Sequence, residues 1–299
     1  MNSNCPLCES KEKITIGKPK TNSISKNFID RDYKIVQCPT CHVYYVHPNI
    51  VFSDEQWAQL YNTEYFTSQS EWLLRKRALE LSQRFDNALS FLHGKHISFL
   101  DIGAGEGKML VEGLRRDWDV TGIDIVDNRI NEAKTKEIKF IQAKFLEHNF
   151  PMDQFDFIYL DSVLEHVLNP KEYLQKIHGI LKPGGIVYIG VPNEDSLFND
   201  IRKLIFLLLG KKNFSEKLKP FDNPYHVIGY NRDSLKFIFS ETNFEIKFMR
   251  NFGRKFDFLS HTPNQRGFWI GLLFLLPIEF IGKLINRDIY FEAYLTKEN

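Results

Sequence analysis

The amino-acid sequence predicts an α/β chain built on a doubly wound, mostly parallel sheet with a last antiparallel strand, preceded by a small cysteine-rich module. Three observations carry this. Strand and helix patterns alternate from Ile97 onward, a glycine-rich turn follows the first of those strands, and all four cysteines fall in two C-x-x-C pairs near the N-terminus. A length of 299 residues allows one sizeable domain with an appendage. The net charge of +1 exerts no overall pull toward nucleic acid or an anionic membrane.

The cysteine module comes first. Cys5-Pro-Leu-Cys8 and Cys38-Pro-Thr-Cys41 are two tight knuckles, each able to present two thiolates to one ion. Together they match the ligand set of a closed, tetrahedral four-cysteine zinc site, which leaves no open position for chemistry and is therefore structural. Two disulfides, or unbound thiols, are the alternative. The first residues lack a basic stretch followed by an apolar run, so no secretory signal is expected, and reduced thiols in the cytoplasm favour the metal. Ile35–Gln37 and Val43–Val46 read as strand pieces of this zinc ribbon, residues 1–50.

Residues 51–95 read as a helical linker: an aromatic stretch with Trp57, Tyr61, Tyr65 and Phe66, then a one-faced helix over Trp72–Leu92 with its arginines mostly off the apolar stripe. The core, residues 96–299, follows. Strands are expected at Ile97–Asp101, Asp119–Asp124, Ile138–Gln142, Phe155–Leu160 and Ile186–Val191. Helices are expected at Lys108–Arg116, Asn128–Thr135 and Pro170–Leu181, the last stopped by Lys182-Pro-Gly-Gly185. Beyond Pro192 the expected elements are a helix over Asp233–Thr242 and strands at Phe244–Met249 and Tyr290–Leu295. Apolar insertions at about 193–225 and 250–288 flank that unit. The second holds Gly267–Gly282, too short and too interrupted for a membrane span. Both read as a packed lid, with peripheral membrane contact as the alternative.

The glycine-rich turn is Asp101-Ile-Gly103-Ala-Gly105-Glu106-Gly107. It lacks the third glycine of a dinucleotide fingerprint, because Lys108 stands at that position. Asp101 and Glu106 would repel a pyrophosphate, whereas the sulfonium and ammonium of S-adenosylmethionine suit an acidic loop. Asp124, ending the second strand, is placed to accept both ribose hydroxyls, with Ile125 beside it.

With those residues in hand, the stretch Phe99–Asn193 resembles the class I methyltransferases, a Rossmann-like family, especially the small-molecule type that includes ubiquinone-biosynthesis methyltransferases. The matching features are Asp101-x-Gly103-x-Gly105-x-Gly107, Asp124, Phe155-Asp156, Val163-Leu-Glu165-His166-Val167, Leu181-Lys-Pro-Gly-Gly185 and Val191-Pro-Asn193. A zinc ribbon ahead of this core is similar to a bacterial subgroup associated with sugar or surface-glycan pathways. The resemblance implies S-adenosylmethionine bound by Asp101, Gly103, Gly105, Asp124, Ile125 and Phe145. It would also place an acidic residue after the third strand to hold the adenine amino group. Lys144 stands there, so either the backbone near Phe145 and the side chain of Gln142 take over, or the position is displaced by one or two residues.

For the acceptor, His226 and His166 are the candidate general bases, which a hydroxyl acceptor would need. No Asn/Asp-Pro-Pro-aromatic run follows the fourth strand, every cysteine belongs to the ribbon, and no basic patch interleaved with aromatics appears. These absences argue against a nucleic-acid partner, and the resemblance implies O-methyl transfer to a sugar, glycan or lipid-linked intermediate. C- or N-methylation of a nucleotide sugar or other metabolite is the alternative, and a cofactor- or partner-binding module the non-enzyme one. Oligomeric state is not legible.

Overall fold

The computed structural model describes residues 4–297, apart from 28, 51, 54, 57, 58, 60–70, 93, 95, 211–216, 223 and 254–262; for 71–79 it describes the backbone only. The linker aromatics Trp57, Tyr61, Tyr65 and Phe66 lie outside the described residues.

The main sheet has seven strands: β4 (Ser98–Ile102), β5 (Asp119–Asp124), β6 (Lys139–Gln142), β7 (Phe155–Asp161), β8 (Leu181–Pro192), β10 (Phe244–Phe252) and β11 (Tyr290–Lys297). Their spatial order is β10-β11-β8-β7-β4-β5-β6. The pairs β4–β5, β4–β7, β5–β6 and β7–β8 are parallel, while β11 is antiparallel to both β8 and β10. The expected α/β sheet with a last antiparallel strand is thus the observed one. β7 and β8 are buried along nearly their whole length, and accordingly read as continuous apolar runs.

The helices are α1 (Glu71–Leu89), α2 (Lys108–Leu114), α3 (Pro170–Ile180), α4 (Leu197–Leu208), α5 (Arg232–Glu241) and α6, a continuous run Arg266–Leu284 whose middle turn, Gly271–Leu275, is π-helical. α3 begins with Pro at its first turn, where a missing N–H costs nothing. α5 is started by a capping box: Asn231 accepts from Ser234 N at 2.9 Å and Ser234 Oγ accepts from Asn231 N at 2.9 Å.

Three local expectations are revised. Instead of a helix over Asn128–Thr135 there is only a 3-10 turn, Asn131–Ala133. The preceding amides are diverted, Arg129 N to Asp127 Oδ1 (3.2 Å) and Ile130 N to Glu106 O (3.0 Å), so the α ladder never starts. The Lys182-Pro-Gly-Gly185 cluster does not separate helix from strand. It sits inside β8 as an irregularity, with Phe155 opposite Leu181 but Phe157 opposite Ile186. The second insertion, read as a packed lid, holds a 19-residue helix of which only 11% is buried.

A second, four-stranded antiparallel sheet runs β1 (Ile14–Gly17), β2 (Lys34–Gln37), β3 (Tyr44–His47), β9 (Ile228–Gly229). The first three strands belong to the ribbon. The fourth comes from the core, pairing Tyr44 with Gly229 and Tyr45 with Ile228. Val36, Val43 and Tyr45 share one continuous apolar cluster with Leu164, Phe221 and Tyr230. Tyr44 Oη donates to Asp195 (2.8 Å) and Asn231 Nδ2 to His42 O (3.0 Å). The ribbon is thus built into the face of the core beside the β9 loop.

Candidate active site

β4 carries Asp101 to the carboxyl edge of the sheet, where the chain turns through the glycines into α2. Gly103 has φ +72°, and a Cβ there would stand 2.6 Å from Val163 Cγ2, so both conformation and space demand glycine. Gly103 N donates to Ile123 O at 2.9 Å, which ties the loop to the neighbouring β5. At the end of β5, Asp124 reaches across the gap: its Oδ2 accepts from Gly105 N at 2.8 Å and its Oδ1 from Val126 N at 3.4 Å. Glycine loop and carboxylate therefore form one unit at the switch point between β4 and β7, where open α/β sheets bind ligands.

The electrostatics of this edge are acidic. Asp101 is buried, and burial together with the Asp124 and Asp161 carboxylates pushes its pKa well above the usual carboxylate range. Asp124 is also raised, by burial, against the backbone N–H groups that favour its charge. A cationic ligand would reverse these penalties, and an anionic one would deepen them. Beside Asp124, Ile125 and Val126 stand 55% and 46% exposed, an uncovered apolar step next to the carboxylate. The residues present thus fit S-adenosylmethionine: acidic loop for the cationic end, Asp124 for the ribose, apolar step for the flat base.

Phe145 is 4% exposed and packs on Tyr173 with ring centroids 4.7 Å apart, so it forms the inner wall of this corner. Lys144 turns to Glu147 at 3.5 Å, and Gln142 Nε2 meets Ile125 O at 3.5 Å. No acidic side chain replaces Lys144 within one or two residues of it.

Past β7 a second cluster forms. Asp161, ending that strand, is paired with Arg84 of α1: Arg84 Nη1 donates to Asp161 Oδ2 at 2.7 Å and to Tyr159 Oη at 2.6 Å. Tyr290 Oη donates to Asp161 Oδ1 at 2.7 Å. Burial alone would lower the Arg84 pKa, but the Asp161 carboxylate holds it well above its ordinary value. Sequence reasoning missed this pair, because Arg84 counts as an off-stripe arginine and yet is 6% exposed. A polar cavity of about 260 Å³ opens beside it, lined among others by Arg84, Arg250, Lys283 and Glu292.

The 3-10 turn Leu164–His166 and the strap leading into β9 bring both candidate bases together. Val227 N donates to Glu165 O at 2.9 Å, joining the two segments. His226 Nε2 lies 3.8 Å from Glu165 Oε1, and the His166 and His226 rings meet edge to face at 5.0 Å. His166 is part-buried, its Nδ1 lies 3.3 Å from Tyr225 O, and desolvation pushes its pKa down to about 4. Tyr230 Oη donates to Leu164 O at 3.3 Å from a fully buried position. Glu165, His166 and His226 offer ligand atoms all within 4.8 Å of one another, a spacing that a cation could bridge.

The four cysteines also converge. Cys5 and Cys41 Sγ are 3.4 Å apart, as are Cys8 and Cys38, and all four sulfurs lie within 4.8 Å of one another. A tetrahedral zinc–thiolate site spaces its sulfurs by about 3.8 Å, so this cluster could bind zinc. The close approach of the sulfurs couples their ionisation: the Cys41 hydrogen bond favours a thiolate at Cys5, while burial disfavours one at Cys8. A dication would supply the charge that lets all four ionise.

Comparison with known proteins agrees with this geometry. Residues 73–247 match the family model described as a methyltransferase domain. A ubiquinone biosynthesis O-methyltransferase from Aeromonas salmonicida is 34% identical over 111 residues, 35% of this chain and 46% of that protein. One from Pseudomonas syringae pv. tomato is 27% identical over 158 residues, 48% of this chain and 65% of that protein. The chain thus spans about half the length of the curated relatives it matches. Among solved structures, a SAM-dependent methyltransferase from Archaeoglobus fulgidus superposes with TM-score 0.50 at 18% identity, covering 76% of this chain and all of that one. The 1,6-didemethyltoxoflavin-N1-methyltransferase of Burkholderia thailandensis, bound to S-adenosylhomocysteine, superposes with TM-score 0.52 at 15% identity, covering 91% of this chain and 98% of that one. At those identities the likeness is one of fold. The chain belongs to the methyltransferase-domain family, with a four-cysteine cluster built onto its N-terminal side.

Proposed function

We propose that this protein transfers a methyl group to a hydroxyl of a small molecule, in a sugar, glycan or lipid-linked intermediate, with His226 as general base. The observation that carries the reading is the His226–Glu165 pair, 3.8 Å apart at the carboxyl edge of the sheet, with Glu165 itself 1% exposed. S-adenosylmethionine, held by Asp101, Gly103, Gly105, Asp124 and Ile125 with Phe145 behind, supplies an activated methyl group. The protein's own task is to align the acceptor oxygen and take its proton. His226 Nδ1 would accept that proton, and the buried Glu165 carboxylate, on the Nε2 side of the ring, would stabilise the resulting imidazolium. His166, neutral and a weak base because of burial, supports the ring of His226 and leaves the proton transfer to it. Relatives named as O-methyltransferases favour oxygen as the acceptor atom. The four cysteines would hold one structural zinc ion.

The test is turnover of His226→Ala on candidate acceptors. A fall of about two orders of magnitude with unchanged cofactor affinity is expected; full activity would overturn the assignment. A second reading rests on the 4.8 Å cluster, in which a divalent cation on Glu165, His166 and His226 polarises the acceptor hydroxyl. Loss of turnover in chelator, restored by magnesium or manganese while the ribbon keeps its metal, would favour it.

A further inference from the structure

Among the described residues, twenty-one large apolar side chains are exposed, and fourteen of them sit on α4, α6 and the residue following each. Scattered exposed apolar residues need no explanation, but a concentration of this kind marks an interaction surface. The most exposed of these are Leu208 (79%), Leu284 (67%), Leu209 (65%), Phe280 (65%) and Phe274 (63%). α4 packs against the C-terminal half of α6, so the two present one continuous face. Its base is fixed to the core: Leu197 N donates to Arg287 O and Arg287 Nε to Asp195 O, each at 2.9 Å.

α6 is long and apolar enough to cross a membrane. The topology forbids it. Phe252, ending β10, pairs with Tyr290, beginning β11, so the chain leaves and re-enters the sheet at one point. Gly282 lies against the Arg287 backbone, which places the C-terminal end of α6 on the protein body. The five residues 285–289 reach at most about 17 Å, against a hydrocarbon core of about 30 Å. Residues 253–265, with the charged Arg254, Lys255 and Asp257, would have to recross, and that length reaches only about 20 Å as a helix.

The remaining geometry is a helix lying in the membrane plane, and the charges name its partner. Lys203, Arg266 and Lys283 belong to the two helices, and Lys211-Lys212 follows α4 after Leu209-Gly210 in the sequence, whereas Arg202 has its Nε buried and offsets the buried Glu194. Against these five the two helices hold two acids, Asp200 and Glu279, in a chain whose whole net charge is +1. Asp200 is bound to Arg287. A second copy of this surface would meet it with like charge, whereas anionic lipid headgroups complement it. Trp269 stands 49% exposed with its Nε1 donating to Pro263 O, an amphipathic ring suited to the headgroup level.

We propose that α4 and α6 form a monotopic docking surface that lies in the interface of an anionic bilayer and turns the carboxyl edge of the sheet toward it. Flotation of the full chain with vesicles tests this. It should rise with phosphatidylcholine vesicles containing about 30% phosphatidylglycerol, and about tenfold less with phosphatidylcholine alone or in roughly 1 M salt. Trp269 emission should shift to the blue on anionic vesicles, a change absent in Trp269→Phe. Phe274→Glu and Leu208→Glu, both at exposed positions, should abolish flotation while calorimetry still shows S-adenosylhomocysteine binding, which confirms the fold. A chain that stays at the bottom with both vesicle types overturns the proposal. So does a concentration-dependent dimer dispersed by Phe274→Glu without vesicle binding, which would assign the face to a second copy.

Discussion

Arg84→Met is the sharpest probe of how the edge of the sheet is held. The arginine side chain is 8% exposed and its Asp161 partner 20%, and two short bonds join it to Asp161 and Tyr159. An exposed ion pair is worth about 0–1 kcal/mol, but removing one partner of a buried pair costs about 3–5 kcal/mol, because the other charge remains without its counter-ion. Asp161 keeps its 2.7 Å bond from Tyr290, which places the expected loss near the lower end, about 3 kcal/mol. For a domain of this size that corresponds to a fall of roughly 6–12 °C in Tm. The assay is urea unfolding of Arg84→Met, Asp161→Asn and the double variant. The double variant should cost much less than the sum, with a coupling of about 2 kcal/mol. A loss below about 1 kcal/mol in Arg84→Met, or additive single variants, would show that solvent screens the pair and that it does not hold the edge.

Stability should depend on pH through His166, whose folded pKa of about 4 lies below the ordinary 6.5. The unfolded chain binds this proton first on acidification, so the contribution is fully present above pH 6.5 and is lost as pH falls toward 4, by about 3 kcal/mol. His166→Asn should remove that slope, and an unchanged slope would refute it. Gly103→Ala, forced against Val163, should weaken S-adenosylhomocysteine binding at least about tenfold, and Asp124→Ala similarly, as read by calorimetry; NAD binding as tightly as S-adenosylhomocysteine would contradict the site. Purified protein should hold about one equivalent of zinc, and Cys8→Ser or Cys38→Ser should lower Tm by roughly 5 °C or more; metal-free protein of unchanged Tm would argue against the ligand set.

The core elements were legible because they rest on local patterns: apolar runs at β7 and β8, proline at the start of α3, glycines where φ turns positive. The corner that joins Gly103 to Asp124 was legible for the same reason, since Gly103 follows β4 and Asp124 ends β5, both strands that the sequence marks. What stayed hidden depends on distant partners. Arg84 looks like a surface cation until Asp161 is brought against it from another element. A two-residue strand such as β9 has no period to detect, so its pairing with the ribbon had no signal. An all-round apolar stretch like α6 reads the same whether it is covered or bare. Between His166 and His226 the sequence offered no preference beyond position, because the contact of His226 with Glu165 appears only once the strap folds back onto the turn.

The strand pairing of Tyr45 with Ile228 would set an ion held by the four cysteines in the same ladder as His226, two residues upstream of β9. By linkage the influence would run both ways. Any ligand that orders the strap at His226 should tighten the grip of the cysteines on such a metal, and on the proposed role of His226 metal supply would become an input to acceptor turnover without touching a reactant. A cell starved of zinc would then lose acceptor alignment while the glycine loop could still hold its cofactor, leaving an enzyme loaded with methyl donor and idle.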